Sequence, residues 1–233
     1  MVHSTLHNTA PLRLALLLVL VTALLGACAN SRALPPARAG GGDAAEVKDN
    51  RPDIWSSDHR RVRQFRKYYA RTSTVETALE NGRRYLPAIL EEFAKRRLPE
   101  ELAYLPMLES RFENRADSGH ARGLWQFTPQ TAEQMGLRIG MMVDDRLNWR
   151  KATAAAAKYL DELGRQFNYN WALALAAYNG GPNYISDEMG RQRSWNFWDL
   201  RLRRETAEYV PRFIAMLQVA REKYAHMIAA TLR

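Results

Sequence analysis

From about Trp55 onward, apolar residues recur every three to four positions, and no segment alternates cleanly with the two-residue period of a strand. This spacing predicts an all-α protein. A first helix runs to about Tyr69 with Ser57 as its cap, and a second is capped by Thr74, with Glu76 and Glu80 near its start. Pro87 opens a third helix that ends near Arg97. A fourth begins at Pro99, where a first-turn proline sacrifices no hydrogen bond. Trp149, Ala152, Ala156, Tyr159, Leu160, Leu163 and Phe167 form one stripe at helical spacing. Asn170 can cap the next helix, through Trp171, Leu175 and Tyr178, which stops at Gly180-Gly181-Pro182. A last helix carries Val210, Phe213, Ile214, Leu217 and Tyr224 on one face. No internal repeat is visible.

One position breaks the pattern. On the helix from Pro99 the apolar stripe reads Leu98, Leu102, Leu105, position 109, Phe112, and position 109 is Glu. A carboxylate on a buried stripe is costly unless hydrogen-bonded, and desolvation raises its pKa. A glutamic acid that keeps its proton near neutral pH is what a general acid for glycosidic cleavage requires. The spacing equally allows a structural ion pair, with Arg111 or Arg122 as partner.

Composition and the N-terminus narrow the setting. The 233 residues are 46% hydrophobic and 10% aromatic, including six Trp, which argues against disorder. The net charge of +9 favours anionic partners such as nucleic acid, lipid headgroups or an acidic polymer, without choosing among them. Residues 1–27 read as a secretory signal: Arg13 precedes an apolar run from Leu14 to Leu25, too short for a membrane span. The run leads into Leu25-Gly26-Ala27-Cys28, which resembles a bacterial lipobox whose cysteine is acylated. Cys28 is the only cysteine, so no disulfide can form within the chain. Ala29 after it implies, for lipoproteins of this kind, sorting to the periplasmic face of the outer membrane. Residues 28–54, rich in Ala, Pro and Gly, read as a flexible tether, and residues 55–228 as the folded domain. The five His are scattered without HExxH or similar pairing, so neither a metal nor a cofactor is expected.

Four motifs then stand in order: Glu109-Ser110; Gly123-Leu124-Trp125-Gln126-Phe127-Thr128-Pro129; Ala177-Tyr178-Asn179-Gly180-Gly181; and Glu205-Thr206 with Tyr209-Val210-Pro211. Together they resemble the lytic transglycosylases of the soluble-Slt type, over roughly residues 55–220. The resemblance implies a lysozyme-like helical domain of the goose-lysozyme and Slt type. It covers the catalytic domain only, without LysM-like wall-binding repeats. Gly180 stands where the family usually has Ala, a change expected to be tolerated.

By this resemblance, Glu109 is the single catalytic acid and base acting on peptidoglycan glycan strands. It protonates the oxygen between N-acetylmuramic acid and N-acetylglucosamine. It then takes the proton of the muramic C6 hydroxyl, which attacks C1 and closes a 1,6-anhydro ring. Ordinary glycosidases use two carboxylates. The nearest second candidates in sequence are Glu113 and Asp117, and Glu113, past the helix end, is expected to face solvent. Ser110 would orient the glutamate or the substrate's acetamido group, and Gln126, Tyr178, Asn179 and Tyr209 would bind substrate. Trp125 and Phe127 could stack on sugars but read more readily as core, and Glu205 reads as a structural pair. The competing readings are a goose-type lysozyme using water, a non-catalytic wall-binding lipoprotein, and a nucleic-acid binder. The last is disfavoured by export and by the absence of any nucleic-acid motif. The expected partners are therefore the glycan strands and, through the lipid anchor on Cys28, the membrane.

Overall fold

The computed structural model describes residues 53–232. The signal and tether readings for residues 1–52, Cys28 included, lie outside the described residues. Within them the chain forms ten α-helices, so the expected all-α class holds. One small feature departs from it: β1 (Ile139–Gly140) and β2 (Val143–Asp144) pair antiparallel in a two-residue hairpin.

The N-terminal helices follow the sequence reading with shifted caps. Asp53 caps a short 3-10 turn over Ile54–Ser56, and Trp55 is already in the core. Helix α1 (Arg60–Tyr69) is capped by a ring nitrogen of His59, not by Ser57, whose hydroxyl instead accepts from the His59 N–H. Thr74 is the first residue of α2 (Thr74–Gly82), with Ser73 ahead of it. Helix α3 spans Leu86–Lys95, with Pro87 in its first turn as expected.

The fourth predicted helix is not one helix. Glu100–Tyr104 is a 3-10 turn, and α4 covers only Leu105–Glu109. Pro106 explains the break, since it has no N–H to give the Leu102 carbonyl; the Leu105 N–H bonds that carbonyl in a tighter turn. Beyond Glu109 the chain reverses through Arg111 and Phe112, both at positive φ. Phe112 is fully buried as the stripe predicted, although it lies past the helix end. Its ring fits under Gly82, where a Cβ would stand 2.9 Å from it.

The core is built on α6 (Trp149–Gln166), capped by Asn148, and α7 (Trp171–Gly180), capped by Asn170 as anticipated. Residues Ala172 to Ala177 are all buried, so α7 is apolar on every side and is enclosed by α6, α8 and α9. Gly181, at φ +92°, ends it. Three helices are absent from the sequence reading: α5 (Pro129–Gln134), α8 (Pro182–Gln192) and α10 (Ala225–Thr231). Prolines at the first positions of α5 and α8 look like breakers in sequence but serve as starters. Tyr224 falls between α9 (Arg204–Lys223) and α10, at a break the apolar stripe conceals.

Helix α9 runs unbroken through Pro211. Proline there cannot donate to the Ala207 carbonyl four residues back. That carbonyl accepts from the Arg61 guanidinium of α1 at 3.1 Å, and a second Arg61 nitrogen donates to the Trp198 carbonyl at 3.3 Å. The orphan acceptor created by Pro211 thus becomes a tie between α1 and α9. Replacing Arg61 by Ala is expected to cost about 1–3 kcal/mol, because it strips donors from part-buried carbonyls. Arg66→Ala, which breaks only the exposed pair with Glu222, should cost under about 0.5 kcal/mol. Urea-unfolding midpoints of the two variants check the contrast.

Candidate active site

Glu109 is the last residue of α4, and its backbone surroundings and its side chain are held from three sides. The Ser110 hydroxyl donates to the Leu124 carbonyl at 2.8 Å and lies 3.3 Å from that of Pro106. It therefore staples the end of α4 to the Gly123–Phe127 turn. Asn81 of α2 donates to the Arg111 carbonyl at 3.0 Å, fixing the reversal after the glutamate. On the third side, the Tyr209 hydroxyl of α9 donates a short hydrogen bond to Glu109 Oε1. Tyr209 is 6% exposed.

The carboxyl keeps some exposure to a groove, while protein packs closely enough around it to strip most of its hydration. Burial raises its pKa from 4.5 to about 7; the Tyr209 bond pulls the other way, and the negative charge of Glu205 adds to the rise. The ion-pair reading fails. Arg111 pairs with Glu113 at 3.2 Å, and Arg122 with Asp117 at 2.7 Å and Asp144 at 3.5 Å. Glu113 is exposed, as expected, and so is Asp117. The phenols of Tyr178 and Tyr209 are pushed well above 10, first by burial and next by the Glu109 charge, so both remain donors.

The turn after α4 carries the second motif. Trp125 is fully buried, donates to the Thr153 hydroxyl at 3.0 Å and stacks on Phe93, so it is core, as is Phe127. Gly123 has φ +83°, and a Cβ on it would lie 2.1 Å from the Arg146 carbonyl oxygen. The close approach it permits is to the protein's own backbone. Gln126 also has positive φ, and its amide nitrogen donates to the Gly123 and Ala116 carbonyls at 2.9 and 3.2 Å. The Tyr178 hydroxyl donates to the Trp125 carbonyl at 2.8 Å, holding the turn against α7. Asn179 receives the Thr206 hydroxyl at 2.9 Å and donates to Glu205 at 3.4 Å. Its neighbour Gly180 packs on Thr206, which would lie 2.9 Å from an added Cβ, so an alanine here would need local adjustment.

Sequence reasoning missed the frame behind this turn. Arg146, 5% exposed, makes a two-pronged pair with Asp144 at 2.8 and 2.7 Å and donates to the Phe127 carbonyl at 3.3 Å. Arg122 links the same Asp144 to Asp117, and backbone bridges join Arg122 to Asp117 and to Phe127. The run Asp144-Asp145-Arg146 carried the only signal, an acidic pair beside a basic residue in a hairpin. Among the described residues, no group of three or more His, Cys, Asp or Glu could hold a metal ion.

Glu109 lines three open depressions of about 520, 410 and 400 Å³. Their shared member makes them one groove with Glu109 at its middle. Tyr209, Glu208, Arg204 and Arg212 line one stretch, Ser110, Gln126 and Asp117 another, and Tyr178, Tyr159, His120 and Thr131 the third. Asn179 and Glu205 border both the first and the third. The structure therefore gathers Glu109, Ser110, Gln126, Tyr178, Asn179 and Tyr209 around this groove. Gln126, Ser110 and Tyr178 nevertheless spend donors on the turn's backbone, and Glu205, Arg204, Glu208 and Arg212 were not foreseen as groove walls.

Residues 87–200 match the family model for the transglycosylase SLT domain. Over 161 residues the chain is 34% identical to membrane-bound lytic murein transglycosylase D of Escherichia coli strain K12, and equally to that of strain O6:H1. The match takes in 67% of this chain and 36% of the relative, so the chain spans about a third of that protein's length. Among solved structures, an inactive mutant of the lytic transglycosylase Slt from Pseudomonas aeruginosa aligns over 58% of this chain and 24% of its own, at 24% identity and a TM-score of 0.46. Residues 87–200 thus carry a transglycosylase SLT domain.

Proposed function

We propose that this protein cleaves peptidoglycan glycan strands as a lytic transglycosylase, with Glu109 as acid and then base. The observation that carries the reading is a desolvated carboxyl in mid-groove, raised to about 7 and steered by the Tyr209 hydroxyl. Elsewhere cationic or amide donors hold carboxylates down: Asp144 beside Arg146, Glu188 beside Arg191, Glu208 beside Arg204. Glu109 alone lines all three parts of the groove.

In the proposed reaction the neutral Glu109 donates its proton to the glycosidic oxygen as the bond to C1 breaks. The resulting carboxylate takes the C6 hydroxyl proton of the muramic residue, whose oxygen closes on C1. The proton given is regained, and no water is consumed. Tyr209 stabilises the transient anion and holds it in place. Tyr178 keeps the Gly123–Phe127 turn at the groove edge, and Asn179 and Gln126 face the sugars. A hydrolytic, goose-lysozyme-like outcome is the second reading, favoured by one feature: Glu205 puts another exposed carboxylate in the same groove. Mass spectrometry of digested sacculi separates the two. Anhydromuramic ends support the transglycosylase, and reducing muramic ends alone overturn it.

We also propose that the chain is exported and anchored through Cys28 at the periplasmic face of the outer membrane. The lipobox-like tetrad supports this, as does the membrane-bound description of the Escherichia coli relative. Among the described residues no helix is long and apolar enough to cross a membrane.

Glu109→Gln should lower turnover of sacculi by roughly 10²-fold or more, since acid–base catalysis contributes about that much. The same change should stabilise the fold. The folded state holds a proton on Glu109 that the unfolded chain releases above about 4.5, so stability declines as pH rises from about 4.5 to 7. Glutamine escapes that decline. The variant should gain up to about 3 kcal/mol at pH 8 and nothing comparable at pH 4, read from denaturant midpoints at the two pH values. Tyr209→Phe removes the bond that lowers the Glu109 pKa, so the alkaline limb of its pH–rate profile should move upward. Its rate should fall roughly 10- to 100-fold from lost orientation. An unmoved limb would detach Tyr209 from the chemistry.

A further inference from the structure

The cations of α1 divide into two sets. Arg61 turns inward to the Ala207 and Trp198 carbonyls, and Arg66 pairs with Glu222. Arg60, Arg63 and Lys67, with Arg71 just beyond the helix, follow one another at spacings of three, four and four, and so share a face. With Tyr68 they line an open depression of about 510 Å³. The four cations are exposed, and Tyr68 is 59% exposed. The helix itself contains no acidic residue. Two acids come near: Asp58 pairs with Arg63 at 3.0 Å, and Glu222 is taken by Arg66. Lys223 adds a further positive charge at the C-terminal end, where its ammonium donates to the Ala70 carbonyl.

We propose that this stripe docks on the anionic phospholipid headgroups of the membrane that carries the chain's N-terminal anchor. The inference rests on the lipid-anchor reading above. From Cys28 to residue 52 there are 25 residues, rich in Ala, Gly and Pro, and they enter the fold at Asp53, seven residues before α1. At about 3.3–3.6 Å per residue, 25 residues can reach no further than roughly 90 Å. That length of chain leaves α1 within reach of the membrane that holds the anchor. Guanidinium forks match phosphate oxygens, and a half-exposed phenol suits the headgroup layer. A basic surface beside an acyl anchor is the second signal that makes membrane attachment firm. The sugar groove has walls of mixed charge, Glu205, Glu208 and Asp117 among Arg204, Arg212 and Arg111, whereas the stripe carries one sign only.

The test uses the full acylated chain and vesicles of phosphatidylcholine with or without phosphatidylglycerol. Neutral vesicles report the anchor alone; the increment on adding anionic lipid reports the stripe. That increment should be roughly tenfold or more at low salt and should fade as salt is raised. A triple variant, Arg60→Gln, Lys67→Gln and Arg71→Gln, should lose it while cleaving soluble glycan strands at the wild-type rate. Arg60→Lys with Arg71→Lys should retain most of it, which separates lost charge from lost folding. Equal increments for wild type and triple variant overturn the proposal. So does a deficit of the triple variant on isolated sacculi with vesicle binding intact, which would give the stripe to the wall. Failure to bind neutral vesicles counts against the anchor alone, since the anionic increment is read separately.

Discussion

The site depends on a carboxyl kept out of water and given one directional partner. Burial alone would raise Glu109 and leave it free to rotate. The Tyr209 hydroxyl restores part of the lost solvation and restricts the group's rotation. The two effects oppose each other in the pKa and cooperate in the chemistry. In the proposed reaction the acid would be neutral often enough to donate a proton, and its anion stabilised well enough to persist until it takes one back. Such an arrangement is costly to fold, and the surrounding structure carries the cost. Ser110 ties the end of α4 to the turn, Asn81 fixes the reversal at Arg111, and Arg61 holds α9, the helix of Tyr209, against α1.

This division of labour explains why several motif residues are bonded to backbone. Ser110, Gln126 and Tyr178 each donate to a carbonyl of the turn or of the segment beside it. They shape the groove through the protein's own backbone, and their remaining lone pairs and faces are what a sugar would meet. Gly123 acts in the same way, by allowing the turn to sit against the Arg146 carbonyl. Arg146, clamped by Asp144, supports it from behind.

Much of this was legible in the sequence because helical periodicity reports burial. Leu98, Leu102, Leu105 and Phe112 are buried as the stripe implies, and Glu109 sits among them. The helix assumed to carry them is broken at Pro106, and Phe112 reaches the core through a left-handed turn. A period of 3.6 survives such a break because 3-10 and α turns advance side chains by similar angles. Prolines misled in the other direction. Pro129 and Pro182 start helices, and Pro211 sits inside one because a distant arginine takes over its lost bond. That rescue joins residues 146 positions apart, and local pattern carries no trace of it. The Asp144–Arg146–Phe127 frame was hidden for the same reason: its partners meet only after the hairpin forms.

The central claim is that Glu109 holds its proton close to neutral pH because its carboxyl is desolvated. The direct measurement is the titration of the Glu109 side-chain carbon by NMR in the folded protein, assigned by comparison with Glu109→Gln. The account predicts a midpoint of about 7, against the ordinary 4.5. A midpoint at or below 4.5 would contradict it, since the carboxyl would then be ionised throughout the neutral range and could not begin the reaction as an acid.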